Sequence, residues 1–288
     1  MTATPHISLE FFPPQKAEAE PGFWRALDRF EGLQPEFVSL TYGAGGSSQA
    51  RSTRILQGLL ERGLAPPAGH ITCVGAPRAA VDACVRGWAE AGITRLVALR
   101  GDMPELGAPF RPHPEGYEDA ADLVAGLTRL GDFDISVGCY PEIHPDSASA
   151  QADLDNLKRK LDAGAERAIS QYFFDAEAFL RFRDRARQAG ITQPLIPGIL
   201  PIFNFGKVRD FSERCGAGIP DWLAARFEGL DADPETRDLV AATTASELCL
   251  TLLREGVESF HFYTLNRAKL TLAICRMLGL RPQLKEAA

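Results

Sequence analysis

Glu10 is an acidic residue in an otherwise largely apolar segment, HISLEFFPP at residues 6–14. Burying a carboxylate without a partner is costly, so an acid in such a segment needs either a pairing group or a chemical role. Partial desolvation raises the pKa of a carboxyl group, and a raised pKa would allow Glu10 to hold and deliver a proton near neutral pH. The alternative is a structural carboxylate that is paired with an arginine or with backbone amides.

Two further polar residues follow apolar, strand-like segments in the same way. Asp102 comes after Gly101 at the end of LVALRGD, and Gln171 lies within AISQYFF. Asp102 suits either a fixed carboxylate that faces a ligand or a turn or helix-capping residue. Polar residues at three strand ends favour a ligand site over isolated structural pairing, and they favour a proton-donating role for Glu10.

One helical segment carries polar residues on a single face. Asp153, Asn156 and Lys160 are spaced i, i+3 and i+7, which places an acceptor, an amide and a cation along one side of a helix. A solvated face is the usual explanation of such a stripe. Because the helix begins just after YPEIHPDS, the stripe could continue a site that opens at Tyr140 and His144 and could hold a long ligand.

Several chemistries lack the residues that they need. No lysine falls inside a predicted strand, which disfavours Schiff-base chemistry, and no H-x-H or H-E-x-x-H sequence is present, so we expect no metal site. The segment YGAGGSS (42–48) fails the G-x-G-x-x-G fingerprint because position 48 is serine, and we expect a rim turn there. These absences favour an organic cofactor. His70, a lone histidine, suits either a core or a site role.

Eight short apolar runs alternate with amphipathic helical patterns along the chain. The predicted strands are Ile7–Phe12, Phe37–Tyr42, His70–Val74, Leu96–Leu99, Ile135–Tyr140, Ala168–Phe173, Leu195–Leu200 and Phe260–Leu265. This alternation favours a single (β/α)8 TIM-type barrel of the α/β class over a doubly wound sheet, with extra helices between Ile202 and Ser259 before the last strand. In such a barrel the polar residues at the strand ends would meet at one rim.

Composition and charge narrow the class of protein. The chain has 288 residues and a formal net charge of −7, and its basic residues are scattered, which disfavours nucleic-acid binding. No long apolar run and no signal-like N-terminus is present, so we expect a soluble, cytoplasmic protein that does not bind membranes. The six cysteines show no C-x-x-C spacing and are predicted to be reduced, buried thiols.

Several segments, in order along nearly the whole chain, resemble the motifs of the bacterial methylenetetrahydrofolate reductase family. They are SLEFFPP, VSLTYGAGG, HITC, LVALRGD, YPEIHP, QADLDNLKRKLDAGAERAISQYFFD, IPGILPI and FHFYTLNRA. The resemblance implies a flavin-bearing (β/α)8 barrel that binds FAD at its rim without a Rossmann domain. It also implies ping-pong reduction of 5,10-methylenetetrahydrofolate to 5-methyltetrahydrofolate, with NADH or NADPH as the reductant.

The resemblance assigns roles to individual residues. Glu10 matches the general acid that protonates a folate nitrogen so that the five-membered ring opens to an iminium. Asp102 matches a second catalytic carboxylate, which faces the flavin and hydrogen-bonds the pterin. The residues matched to substrate binding are Asp102, Gln171, Lys207, Phe211 and Arg267. Lys207 stands where the family commonly has glutamine.

The resemblance also places FAD against a longer set of residues, in which a basic pair is available to the pyrophosphate. The set is Thr41, His70, Arg100, Gly101, Asp102, Ala120, Tyr140, His144, Asp153, Asn156, Arg159 and Lys160. One position departs from the family, since Asp119 stands where a tyrosine or phenylalanine is frequent.

Other expectations follow from the same resemblance. Residues 1–288 are expected to form one catalytic barrel domain without a regulatory domain, in a homo-oligomer. The alternative function is a non-redox folate-binding or methyl-transferring protein on the same barrel, which would bind a pterin without needing a flavin.

Overall fold

The computed structural model describes residues 4–41, 46–103, 105 and 108–282, and within residues 46–49 it describes the backbone alone. Eight strands follow one another in chain order and close into a barrel. They are β1 (His6–Phe11), β2 (Val38–Leu40), β3 (Pro67–Thr72), β4 (Arg95–Leu99), β5 (Asp134–Cys139), β6 (Arg167–Tyr172), β7 (Leu195–Ile199) and β8 (Ser259–Tyr263). Every neighbouring pair is parallel. The predicted (β/α)8 barrel is confirmed.

Helices lie between the strands and around the outside of the barrel. They are α1 (Glu20–Asp28), α2 (Gly46–Arg62), α3 (Arg78–Glu90), α4 (Ala120–Leu130), α5 (Ala150–Asp162), α6 (Ala176–Gln188), α7 (Phe205–Cys215), α8 (Asp221–Phe227), α9 (Pro234–Arg254) and α10 (Lys269–Met277). Three of them, α7, α8 and α9, lie between β7 and β8, which confirms the predicted extra helices. No helix in the described part of the chain is both long and apolar enough to cross a membrane.

The predicted strand boundaries differ from the structure by one to three residues, and the second and third strands differ most. The third strand begins at Pro67 rather than at His70, because proline is tolerated as the first residue of a strand, where its missing N–H breaks no central ladder bond. The second strand is shorter than predicted and covers only Val38–Leu40. As a result His70 lies in the middle of β3 and not at its start.

Alternation along β1 decides which side chains enter the barrel. Leu9 and Phe11 pack outward into the large core between the strands and the helices, where the Phe11 ring meets Phe23 of α1 at 5.5 Å. The intervening Ser8 and Glu10 point into the barrel, because successive side chains of a strand face opposite sides. β1 closes the barrel against β8, with Ser8 opposite His261 and Glu10 opposite Tyr263.

An apolar layer fills the barrel interior apart from these polar residues. It consists of Phe37, Ala68, Val97, Ile169 and Ile196. A second apolar cluster, outside the barrel, joins α7, α8 and α9 to β6 through residues such as Tyr172, Leu223 and Phe227.

Gly198 of β7 leaves room for a large side chain from β8. A Cβ atom there would lie 2.5 Å from the Tyr263 ring and even closer to the backbone oxygen of Ser170. We expect Gly198→Ala to lower the free energy of unfolding by about 1–3 kcal/mol, because the close-packed interior cannot absorb the extra methyl group.

Gly87 provides the matched control, since a Cβ at this exposed position of α3 would meet no atom within 4 Å. Gly87→Ala is expected to raise the free energy of unfolding by about 0.5–1 kcal/mol, through the higher helix propensity of alanine. Urea titrations of both variants measure the two changes. Equal stabilities would contradict the packing argument.

Candidate active site

The carboxylate of Glu10 lies inside the mouth of the barrel with two imidazoles beside it. Its Oε2 atom is 3.3 Å from Nε2 of His70 on β3 and 3.4 Å from Nε2 of His261 on β8. The side chain of Glu10 is 13% exposed, whereas those of His70 and His261 are 7% and 0% exposed. The acid is therefore paired, but with histidines rather than with the arginine or backbone amides of the structural alternative.

His261 is a site residue that the sequence reasoning missed. Its Nδ1 atom lies 2.7 Å from the hydroxyl oxygen of Ser8, and its ring stacks on Phe37 with centroids 5.8 Å apart. The available signal was the alternation in SFHFY, where Phe260 and Phe262 face outward and His261 must then face inward.

The expected rise in the pKa of Glu10 was wrong for this arrangement. Burial does favour the neutral acid, but the charge of His70 and the hydrogen bond from His261 outweigh it, and the pKa of Glu10 falls to about 2. The attraction to an imidazole requires that the imidazole carry a proton. The proton affinity of Glu10 is thus tied to the charge of its two neighbours.

The loop after β8 fixes the backbone on either side of Glu10. The Thr264 hydroxyl donates to the Glu10 carbonyl oxygen at 2.6 Å. The Asn266 side chain accepts from the Phe12 N–H at 2.8 Å and donates to the Phe12 carbonyl at 2.9 Å. Leu265 and Asn266 take the left-handed conformation, with φ of 49° and 58°, which turns the chain so that Asn266 can reach β1.

The buried Nε2 nitrogen of His70 lacks a hydrogen-bond partner among the described residues. This nitrogen is close to Glu10, yet the geometry makes no hydrogen bond between them. Thr41, the residue after β2, is half-buried, and its backbone N–H donates to the Phe11 carbonyl at 3.0 Å. Of the predicted rim turn at 42–48, residues 42–45 lie outside the described residues.

Arg100 joins the rims of β4 and β5. Its guanidinium donates to Asp146 at 2.7 Å and covers the Phe110 ring at 4.9 Å. Gly101 has φ of 81°, and a Cβ on it would lie 2.5 Å from Val74, so a glycine is required there. The Asp102 side chain is 97% exposed and approaches Arg100 only at 3.8 Å, so its carboxylate is held loosely.

The polar stripe on α5 turns towards the end of β5, as predicted. The buried Lys160 ammonium donates to the Gly138 carbonyl at 2.6 Å. Asp153 accepts from the backbone N–H of His144 at 3.2 Å, and the His144 ring meets Tyr140 edge-on at 4.5 Å. Asn156 lies half-buried on the same face. Burial, and then the charge of Arg100, lowers the pKa of His144.

The unusual Asp119 has a structural role. It is the N-cap of α4, where it accepts from the backbone N–H groups of Ala121 and Asp122, and it pairs with Arg159 of α5 at 2.7 Å. Burial opposes ionisation, but these hydrogen bonds and the Arg159 charge lower the pKa of Asp119. Ala120, the first residue of α4, is buried.

Aromatic and basic side chains follow the ends of β6, β7 and β8. The Phe211 ring on α7 is 46% exposed and stacks on Tyr172 at 6.0 Å. Arg267 lies over the Phe203 ring at 5.0 Å, and Lys207 is exposed in the first turn of α7. The Gln171 side chain accepts from the adjacent backbone N–H of Tyr172 at 3.0 Å.

A family model described as methylenetetrahydrofolate reductase matches residues 2–279. The chain belongs to the methylenetetrahydrofolate reductase family. It is 50% identical to the 5,10-methylenetetrahydrofolate reductases of Salmonella typhimurium and Escherichia coli, over 97% of this chain and 92% of each relative. An Arabidopsis thaliana relative, methylenetetrahydrofolate reductase (NADH) 1, is 34% identical over 95% of this chain and 48% of its own length. The chain is thus an enzyme that reduces methylenetetrahydrofolate.

Solved structures of low sequence identity share the fold of this reductase family member. An uncharacterized protein from Clostridium thermocellum that binds two copies of 5-methyl-5,6,7,8-tetrahydrofolic acid matches with a TM-score of 0.60 at 14% identity, over 96% of this chain and 95% of that one. Dihydropteroate synthase from Xanthomonas albilineans matches with a TM-score of 0.52 at 14% identity, over 97% and 94%. These likenesses concern the barrel alone.

The pairing of Glu10 predicts an acid-sensitive stability. Because its pKa falls from an ordinary 4.5 to about 2 in the folded barrel, the unfolded chain takes up the proton first as the pH falls. The stabilisation is complete above pH 4.5 and is lost as the pH approaches 2. We expect wild type to lose about 2 kcal/mol from this source between pH 5 and pH 3.

Glu10→Gln should lack this part of the pH dependence, as measured by urea denaturation at a series of pH values. Glu18→Gln, at an exposed carboxylate outside the barrel, is the control and should follow wild type. Parallel curves for wild type and Glu10→Gln would show that the histidines do not stabilise the Glu10 anion.

Proposed function

We propose that this enzyme reduces 5,10-methylenetetrahydrofolate with FAD as its resident cofactor and NADH or NADPH as the reductant, in ping-pong order. The observation that carries the proposal is Glu10, an enclosed carboxylate at the barrel mouth beside His70 and His261. The overall reaction consumes one hydride from the nicotinamide and one proton, and it yields 5-methyltetrahydrofolate and the oxidised nucleotide. Glu10 is the proposed source of the proton.

The residues of the rim fit a long, anionic, planar cofactor such as FAD. The Lys160 ammonium has three N–H donors, of which one described acceptor, the Gly138 carbonyl, uses one. Lys160 and Arg159 would hold the pyrophosphate, and the buried, unpartnered Nε2 of His70 provides a polar contact near the barrel axis. The other residues proposed to hold the cofactor are Thr41, Arg100, Gly101, Asp102, Ala120, Tyr140, His144, Asp153 and Asn156.

Bound FAD would supply a carrier that takes a hydride from the nicotinamide and gives it to the folate. Glu10 would protonate a nitrogen of the folate imidazolidine ring. The carbon–nitrogen bond to that nitrogen then breaks, and the bridging carbon becomes an iminium that accepts the hydride. This step leaves Glu10 as a carboxylate, which regains a proton from solvent before the next cycle.

Glu10 can hold its proton only when the neighbouring imidazoles are uncharged. Burial favours the neutral carboxylic acid, and the charge on His70 opposes burial. Once the imidazoles have lost their protons, the opposing charge is gone and burial dominates. Donation by Glu10 is therefore expected only when neither imidazole carries a charge.

The aromatic and basic side chains that follow the ends of β6, β7 and β8 are proposed to bind the substrates. The exposed Phe211 ring provides a stacking surface for a nicotinamide or a pterin. Gln171 and Asp102 would hydrogen-bond the pterin. Lys207 and Arg267, both exposed and neither in an ion pair with a described residue, provide positive charge for the folate glutamate carboxylates.

Glu10→Gln should separate the two half-reactions, because glutamine keeps the shape of the side chain but has no acidic proton. We expect reduction of the flavin by NAD(P)H to stay within about twofold of wild type. Folate-dependent reoxidation should fall by at least about 10²-fold, the usual contribution of a general acid. Stopped-flow absorbance at the flavin bands measures both rates.

Glu18→Gln is the control for that experiment, since it also removes one carboxylate but lies outside the barrel mouth. Equal losses in the two half-reactions of Glu10→Gln would contradict the assigned role. A purified protein that is colourless, and that titration with FAD leaves unchanged, would instead favour a non-redox folate-binding barrel.

Lys160→Met should weaken FAD binding without disrupting the fold, because methionine fills the buried space but provides no N–H group. The loss of a charged donor to a phosphate predicts an affinity lower by about ten- to a hundredfold. Quenching of flavin fluorescence on titration of the apoprotein measures it. Lys158→Met, at a half-buried lysine of the same helix that pairs with Asp162 at 3.2 Å, is the matched control and should bind FAD as wild type does.

A further inference from the structure

Three side chains from β1 and β8 form a line that ends in the barrel interior. The Ser8 oxygen lies 2.7 Å from Nδ1 of His261, and Nε2 of the same ring lies 3.4 Å from Oε2 of Glu10. Ser8 and His261 are 1% and 0% exposed, so neither exchanges protons directly with solvent. Ser8 and His261 therefore do not provide a path for protons between solvent and Glu10.

The two carboxylate oxygens of Glu10 have different surroundings. Both imidazoles approach Oε2. His261 forms a hydrogen bond with this oxygen, whereas Nε2 of His70 does not. Oε1 has no hydrogen-bond partner among the described residues. The carboxyl group is thus held through one oxygen and left open at the other.

The partners of His261 decide which of its nitrogens carries the proton. A carboxylate oxygen only accepts hydrogen bonds, so Nε2 must carry the N–H that reaches Oε2. In the neutral ring Nδ1 is then an acceptor, and the Ser8 hydroxyl can rotate to donate to it. Ser8 therefore stabilises the neutral tautomer that binds Glu10.

We propose that His261, held in this tautomer by Ser8, is a positioning residue that anchors Oε2 of Glu10 and leaves Oε1 to carry the proton used in the reaction. The proposal rests on the proposed function of Glu10 as proton donor. In the transfer, the O–H bond at Oε1 breaks and an N–H bond forms on the folate nitrogen. The His261 N–H continues to donate to Oε2, which is the carbonyl oxygen of the acid before transfer and part of the carboxylate after it.

Few other groups compete for Glu10. Among the described residues, His70 faces it from β3 and Tyr263 from β8, while Ser39 on β2, opposite Glu10, is uncharged. Burial, and then the charge of Glu10, raises the pKa of Tyr263 well above its ordinary value, so the phenol stays neutral. His70 is present in every variant below, so differences between them report on Ser8 and His261.

The test compares the pH dependence of folate-dependent flavin reoxidation in the holoenzyme. His261→Phe keeps the ring stacked on Phe37 but removes both nitrogens, so the Glu10 anion loses its hydrogen bond while burial remains. We expect the high-pH midpoint of the rate to move up by about one pH unit or more. Reduction of the flavin by NAD(P)H, and the KM for that nucleotide, should stay within about twofold of wild type.

Ser8→Ala should move the same midpoint in the same direction by a smaller amount, and Ser8→Thr, which restores a hydroxyl, should return it towards wild type. The double variant Ser8→Ala/His261→Phe should move it no further than His261→Phe alone, because Ser8 acts only through the ring. Ser39→Ala removes another fully buried hydroxyl on the adjacent strand and should leave the midpoint in place.

A second measurement does not depend on activity. In ¹⁵N NMR of ring-labelled histidine at neutral pH, His261 of the holoenzyme should show the tautomer with the proton on Nε2, and Ser8→Ala should show a mixture of the two tautomers. This readout keeps the test valid if His261→Phe fails to fold.

The outcomes separate a failure of the proposed function from a failure of the positioning role of His261. If the wild-type protein does not transfer hydride to folate at all, the proposed function fails, and the NMR spectrum still decides the tautomer. If it does transfer hydride, but the midpoints of His261→Phe and Ser8→Ala match that of wild type, the positioning role is wrong. Additive midpoint shifts in the double variant would also overturn it.

Discussion

The competition between burial and charge at Glu10 is the interaction on which the rest of the site depends. The barrel interior removes this carboxyl group from most of the solvent, which favours the neutral acid, while His70 and His261 favour the anion. Neither influence alone would suit a proton donor that must be restored in every cycle, since one holds the proton too firmly and the other too weakly. The geometry couples the protonation of the acid to the charge of the two imidazoles.

The backbone around Glu10 is arranged to keep that competition fixed. β1 is paired on both sides, and the Asn266 amide continues the pairing to Phe12, beyond the last strand residue. Gly198 provides the space for Tyr263, whose hydroxyl donates to the Ser170 carbonyl at 2.7 Å. The backbone of this end of the barrel is thus held by strand pairing and by the Asn266 side chain, while the side chains of Asp102, Lys207 and Phe211 remain exposed.

Much of the fold could be predicted from sequence, because the period of hydrophobic residues reports directly on strands and helices. The eight strands and the helices before β8 were found in this way, and the error at β3 arose because Pro67 resembles a strand terminator more than a strand residue. The partners of individual side chains could not be predicted. His261 carries an inward-facing signal in its own strand, but nothing in the sequence shows that Ser8 and Glu10 lie beside it.

Because the partners of a side chain cannot be read from local sequence, the sequence predicted a raised pKa for Glu10, whereas the structure lowers it. Local sequence around Glu10 shows an apolar segment and therefore burial, and burial alone raises the pKa of an acid. The opposing imidazoles come from β3 and β8 and enter only when the barrel is assembled. The distinct role of Asp119, as a helix cap paired with Arg159, was hidden for the same reason.

Glu10 and His261 are separated by 251 positions, and they come together only at the seam where the first strand meets the last. During synthesis on the ribosome, the first strand emerges long before β8, so the acid has no imidazole from β8 until that strand has also been made. An unfinished chain would therefore hold the glutamate in a different electrostatic setting from that of the mature enzyme. Closing the ring is in this sense also the last step in building the active site.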